Sequence, residues 1–203
     1  MWWDISGSMG SFKYEVEELS TSAELHPVLR LRTTAWQTRT KSFNTDKHWK
    51  EKLDNTALHF VIRCPDEHII AAARLSQHQC FSELPNGDTY AIASSGDQTF
   101  GVISRLVVSG SHASKGLASL LDQARIEKAR SLKLPRVFAA TSIRHRVSML
   151  EKAGFRQVGE GAAYNSGPLA SLSNRHKSEG MPSELMSRPV VLELDLAGDL
   201  KAA

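Results

Sequence analysis

Branched apolar residues crowd the stretch Val102–Val108 (V-I-S-R-L-V-V), a short run that reads as a buried strand. Ser109–Lys115 is small and polar, with Gly110 inside it, and marks a tight loop. From Gly116 the apolar positions fall at Leu117, Leu120, Leu121, Ala124 and Ile126, a helical spacing that continues to about Leu132. Upstream, Phe12–Leu19 alternates and predicts a first strand. Ser20, Thr21 and Ser22 can cap a helix, Glu24 follows Thr21 by three, and Leu25, Val28, Leu29, Leu31, Arg32, Ala35 and Trp36 keep helical rhythm. Pro27 suits the first turn of that helix. A second short helix is expected near Asp46–Leu53, with Trp49 on its apolar side.

Leu58–Arg63 and His68–Leu75 predict a hairpin around the turn Cys64–Glu67. Gln77–Asp97 is polar and irregular, either a lid over a ligand or a long loop. Downstream, Pro135–Ala140 reads as a strand, and Thr141 and Ser142 as caps for a helix from Ile143 to Lys152. Gly154 is placed to end that helix with a left-handed residue. Arg156–Gly161 begins another strand, Tyr164–Ser187 shows no period, and Pro189–Leu196 alternates as the last strand. The sum is an α/β (α+β) domain over residues 12–197: a mixed central sheet of about six or seven strands flanked by about four helices. Loose tails are expected over 1–11 and 198–203.

A strand, a loop of small residues and a helix start make a device for holding phosphate. The first N–H groups of a helix have no partner within it, and the helix dipole adds positive character there. Gly116 admits a ligand close to the backbone, and Lys115 adds a mobile charge. The Walker pattern does not fit, because Gly110 and Gly116 are wrongly spaced and Leu117 stands where its Lys belongs. The dinucleotide fingerprint G-x-G-x-x-G is absent. An ordinary strand-to-helix turn would look the same on the loop alone.

Composition changes this picture little. With 203 residues, 41% hydrophobic and 23% charged, the chain suits one soluble globular domain with a sizeable core. No apolar run approaches a membrane span, and the first residues lack the basic and apolar segments of a signal peptide. The net charge of +3 is too scattered to argue for nucleic acid. Cys64 and Cys80 show no metal or redox spacing and fit a reducing cytoplasm. The histidines form no H-x-H or H-x-x-x-H pair, so no metal site is expected.

The segment A-S-K-G-L-A (Ala113–Ala118) resembles the pyrophosphate-binding motif of the GCN5-related N-acetyltransferases (GNAT superfamily), usually written [QR]-x-x-G-x-[GA]. Gly116 and Ala118 match its small positions, and Ala113 stands where Gln or Arg is usual. L-E-K-A-G-F at Leu150–Phe155 is similar to the family's Y-E-K-L-G-F ending, and the order of elements is the family's. The resemblance covers Leu58–Gly159 and implies acetyl-CoA, or another acyl-CoA, as donor. It implies that Leu106, Val107 and Val108 pair with the pantetheine arm. Ala113, Ser114, Lys115, Gly116, Leu117, Ala118 and Ser119 would hold the pyrophosphate, and a backbone N–H near Leu106 or Val107 would face the oxyanion. The family's Tyr is replaced by Leu150 and its helix-start Asn by Ile143, leaving His145 and Ser148 as nearby polar candidates for the acid or base.

A second resemblance is to the N-acylhomoserine lactone synthases and related N-acyl amino acid synthases, built on the same fold. It rests on Arg32 and Trp36, Glu51 and Asp54, Arg74, and the pair Ser104-Arg105, with Val102 standing where those enzymes carry Glu. It implies that Trp36, Arg74 and Arg105 meet the acceptor, the arginines holding a carboxylate. Packing and ion pairing within the domain would use the same residues. Three functions follow: acetyl transfer from acetyl-CoA to a primary amine, on a small-molecule amine or amino acid; a long-chain synthase fed by an acyl carrier protein that docks near Lys115, Arg130 and Lys133; or a CoA-binding sensor without catalysis. A homodimer is compatible with each.

Overall fold

The computed structural model describes residues 13–20, 24–39, 48–94, 96, 98–165 and 185–200. In chain order the elements are β1 (Glu17–Glu18), α1 (Leu25–Arg39), β2 (Leu58–Arg63), β3 (Ile69–His78), β4 (Phe100–Val108), α2 (Leu117–Ser131), β5 (Arg136–Ile143), α3 (Arg144–Lys152), β6 (Arg156–Glu160), β7 (Leu185–Asp195) and a single helical turn, α4 (Ala197–Leu200). The strands form one seven-stranded sheet in the order β1-β2-β3-β4-β5-β7-β6. All neighbours are antiparallel except β4 and β5. This is the mixed α/β architecture that the pattern predicts.

Burial divides the sheet into two faces. On one, α2 packs on β2–β4 and α3 on β5–β7, around Leu75, Ile103, Leu121, Val137, Leu150 and Leu192. On the other, α1 lays Leu25, Val28 and Leu29 over Val61, Ala72 and Val107. Farther along that face Phe81, Leu84 and Tyr90 pack on Phe100, Val102 and Phe138. The segment after β3 is therefore a packed cap rather than a free loop. Phe81 stacks on Tyr90 at 5.3 Å and meets Phe100 at 4.7 Å.

Several boundaries differ from expectation. The first strand shrinks to two laddered residues, Glu17 and Glu18, opposite Val61 and Phe60; Tyr14 and Val16 still pack on the core, which explains the alternation. Of the helix expected over Asp46–Leu53, residues 46 and 47 lie outside the described residues, and His48–Lys50 is not helical. Instead Lys52–Asn55 forms a tight 3-10 turn, held because the Glu51 N–H donates to the Asp54 carboxylate at 2.8 Å. β5 runs on through Thr141 and Ser142 to Ile143, so these residues are strand, not caps. The reason lies across the sheet: β7 starts at Leu185, earlier than its alternation shows, and pairs with Ile143. The predicted caps Thr21 and Ser22, and residues 166–184, lie outside the described residues. Gly154 is left-handed, at φ 97°, as a helix-ending glycine should be. No described helix is long and apolar enough to cross a membrane.

Candidate active site

The two parallel strands at the centre meet only briefly. Gly101 pairs with Val137 and Val102 with Phe138; beyond that β4 and β5 have no paired rungs. From Ile103 to Val108 the β5-facing edge of β4 is thus free of a ladder, the backbone of a fork open to an extended ligand. On its other edge β4 stays paired with β3, but the register shifts between Ala72 and Arg74, where β4 holds one extra residue. Arg105 sits in this bulge at φ 53°, a left-handed conformation that a non-glycine residue adopts only when its surroundings hold it.

The free edge leads straight into the loop before α2. Ala113, Ser114, Lys115 and Gly116 are exposed, Ser114 and Gly116 are left-handed, and Leu117 is buried as the first helical residue. A Cβ added at Gly116 would meet nothing within 4 Å, so the space above it is open to a ligand. Leu117 and Ala118 are first-turn residues whose N–H groups have no partner within the helix. Leu106, Val107 and Val108 lie on the fork and Ala113–Ser119 at its mouth, so the structure gathers all ten of these residues along one path.

On the α1 face, under the bulge, five charged side chains from four elements meet. Arg32 of α1 donates to both Asp54 oxygens, at 2.9 and 3.1 Å. Arg74 of β3 reaches Asp54 at 2.7 Å, Glu51 at 3.0 Å and Ser104 Oγ at 3.1 Å. Arg105 donates to both Glu51 oxygens, through Nε at 2.9 Å and through Nη2. Its guanidinium carbon lies 4.6 Å from the centre of the Trp49 ring, and Trp36 meets the same ring edge-on. Burial pushes the Asp54 carboxyl upward, but the hydrogen bonds and charges of Arg32 and Arg74 outweigh it and hold it at about 2. Glu51 is likewise held below its usual range: Arg105 and Arg74 overcome its burial. Three arginines face two carboxylates, so the cluster keeps one positive charge uncompensated beside the fork.

This arrangement sorts the sequence candidates. Arg74 is 1% exposed, with Nη1 on Asp54 and Glu51 and Nε on Ser104 Oγ, so most of its guanidinium is engaged within the network. Arg105 keeps 12% of its side chain exposed. Trp36 backs Trp49, and it is Trp49 that lines the adjoining cleft. His145 and Ser148 are exposed on α3. Leu150 is buried in the core and Ile143 is the last residue of β5.

The open cleft beside the network, about 790 Å³, is lined by Trp49, Glu51, Leu53, His78, Glu83 and Pro85 among others. His78 is a residue that the sequence reading passed over. Its Nδ1 meets the Glu83 carboxylate at 3.1 Å and its Nε2 meets Ser76 Oγ at 2.8 Å. A carboxylate only accepts, so Nδ1 carries the proton and Nε2 is the acceptor. Burial lowers the proton affinity of His78, against the pull of Glu83, so the ring is neutral at pH 7. Ser76 stands directly opposite Val102 in the β3–β4 ladder. Tyr90 and Tyr164 were also missed. Both are buried; burial pushes Tyr90 up to about 12 and raises Tyr164 further, although Tyr164 hydrogen-bonds Ser142 of β5. No local pattern marks these residues, because each acquires its partner from another element.

Comparison with known proteins gives a consistent result. The model of the acetyltransferase (GNAT) family matches residues 25–155. No curated protein matches the sequence. Among solved structures, the chain is similar to FeeM, an N-acyl amino acid synthase from uncultured soil microbes, with a TM-score of 0.63, 14% identity, and 94% of this chain and 93% of that one covered. It is similar to a Bacillus subtilis acetyltransferase in complex with CoA (TM-score 0.58, 19% identity, 91% and 99% covered). A GNAT family acetyltransferase from Elizabethkingia anophelis with acetyl-CoA bound gives a TM-score of 0.59 at 11% identity, with 90% and 98% covered. At these identities the structures speak for the fold.

Proposed function

The chain belongs to the GNAT family of acetyltransferases and is an acyltransferase, and we propose that it transfers an acyl group, in the first instance acetyl from acetyl-CoA, directly to a primary amine. The observation that carries this reading is the fork: β4 and β5 part after Val102, and the free edge of β4 runs into an exposed loop and a helix start. A CoA-type ligand fits these residues, since its amide-bearing arm needs an unpaired strand edge and its pyrophosphate needs open backbone N–H groups. When bound, it would supply the activated thioester. Leu106–Val108 would pair with the arm, and the loop Ala113–Ser119 would take the pyrophosphate. An N–H at or next to the bulge, near Leu106 or Val107, would stabilise negative charge, helped by the uncompensated positive charge of the network.

An attacking amine must lose a proton. Ser76 lies across from Val102 and hands its own O–H to His78, so the pair Ser76–His78, oriented by Glu83, forms a route for that proton toward the cleft. The cleft along Trp49, Glu51 and His78 would admit a small-molecule amine or amino acid, which favours an enzyme over a silent CoA sensor. A second reading has its own support. The network of Arg32, Glu51, Asp54, Arg74 and Arg105 joins the residues that resemble the N-acyl amino acid synthases, and FeeM shares the fold. In that reading the donor is a long-chain acyl carrier protein and the acceptor an amino acid. Free Cys64 and Cys80 suit a cytoplasmic setting for either.

Thermal stabilisation by CoA, acetyl-CoA and a long acyl-CoA, each at equal excess, tests the reading. A ligand at 100 times its dissociation constant stabilises by about 2.7 kcal/mol. We expect a clear shift with acetyl-CoA that Gly116→Glu abolishes, and amine-dependent release of free thiol. A shift only with long acyl chains supports the synthase reading. No shift with any of the three overturns both.

A further inference from the structure

The peptide on which the bulge turns is gripped from the face opposite the ionic network. Arg125, on α2, is wholly buried. Its Nε donates to the Leu121 carbonyl one turn earlier, at 3.1 Å. Its Nη1 donates to two strand carbonyls at once, Arg74 at 3.2 Å and Ser104 at 3.3 Å. These two residues are the first pair in register after the bulge, where the ladder is disturbed. Its Nη2 meets the Asp122 carboxylate.

Asp122 is shared. Arg146 of α3 reaches it with Nη2 at 2.6 Å and with Nη1 on the second oxygen. α2 packs on β2–β4 and α3 on β5–β7, so the contact ties together two limbs that share only two rungs of the sheet. A simple helix-to-helix ion pair would need Asp122 and Arg146 alone. The second arginine carries the tie onward to the strand carbonyls.

We infer that Arg125 is a positioning residue for acyl transfer: it holds the plane of the Ser104–Arg105 peptide, and through Asp122 and Arg146 it links that peptide to the opposite limb of the fork. The next N–H along the chain, that of Leu106, takes its direction from this peptide. Arg105 is in a left-handed conformation that needs holding from outside. Glu51 and Trp49 hold its side chain; Arg125 holds its backbone. The inference rests on the acyl-transfer reading of the fork.

The test uses Arg125→Met, which keeps an unbranched apolar stem and removes the donors, and Arg125→Lys, which keeps the charge. Amide hydrogen exchange is measured at residues 104–107 and across the rest of the sheet, with turnover and CoA affinity in parallel. The expected result is faster exchange confined to 104–107, kcat down by tenfold or more, and CoA affinity within threefold of wild type, with partial recovery in Arg125→Lys. Unchanged exchange at the bulge, or unchanged kcat, overturns the inference. If Arg125→Met does not fold, Arg146→Lys, which loosens the tie one step away, must show the same localised exchange, and its absence overturns the proposal. If the wild type turns over no acyl-CoA, the functional reading fails while the exchange data still decide whether Arg125 holds the bulge.

Discussion

Two buried ionic clusters sit back to back on the bulge of β4, and they differ in how they are built. The cluster under α1 draws Arg32, Glu51, Asp54, Arg74 and Arg105 from four separate elements and opens onto a cleft. The cluster under α2 and α3 consists of Asp122, Arg125 and Arg146, contributed by two helices, and its central Arg125 is wholly buried. Each has one more arginine than carboxylates, so both faces of the bulge carry positive charge. In the proposed function the first would shape what approaches the fork, and the second would set where the fork stands. A strand edge flanked by fixed positive groups on both sides is suited to an anionic ligand and to charge developing on an oxygen.

The largest effect that would break this comparison comes from removing the shared carboxylate of each cluster. Asp54→Ala and Asp122→Ala should each destabilise the fold by about 3–5 kcal/mol, because, among the described residues, the first leaves buried Arg32 with no carboxylate and Arg74 with Glu51 alone, and the second leaves Arg125 and Arg146 with none. Urea unfolding measures this, and a loss below 1 kcal/mol in either would show that cluster to be solvated. Next, His78→Gln acts only on the side that opens to the cleft. It should lower kcat by about 100-fold with little change in unfolding free energy. In the wild type the rate should fall on the acid side, at a pH below the ordinary histidine range because burial lowers the proton affinity of His78; an acid limb that is unchanged in His78→Gln would remove His78 from the proton route.

A smaller effect belongs to the α1 cluster and depends on pH. The Asp54 carboxyl is held at about 2 in the folded protein against an ordinary 3.8, so its stabilisation is fully present above about pH 4 and is lost as pH falls toward 2. The amount is on the order of 2 kcal/mol. Asp54→Asn should remove that acid-induced loss while lowering stability at neutral pH, which acid titration followed by circular dichroism would register. The smallest change is a control at the edge. Arg63→Ala breaks an exposed pair with Glu17 and should shift stability by about 0–1 kcal/mol, less as salt is raised.

Much of the fold could be read from local pattern. The strand Leu58–Arg63 has the predicted bounds, and the start of α2 at Leu117 follows from the small loop and the helical spacing after it. The sequence alone names the network residues under α1, but not that Arg74 spends Nη1 on Asp54 and Glu51 and Nε on Ser104. Nothing in the local spacing marks Arg125 or Arg146 as buried, although both are.

Periodicity and loop chemistry, taken along the chain, determined most of the strands, the central helix and the tight loop before it, because hydrophobic spacing and glycine placement act over a few residues. Tertiary structure decided the rest. The fork exists because β4 and β5, neighbours in the sheet, share only two rungs, a pairing choice made between segments far apart in sequence. Likewise, whether an arginine is solvated or clamps a bulge depends on which carboxylate and which carbonyls arrive beside it, and only packing brings them there.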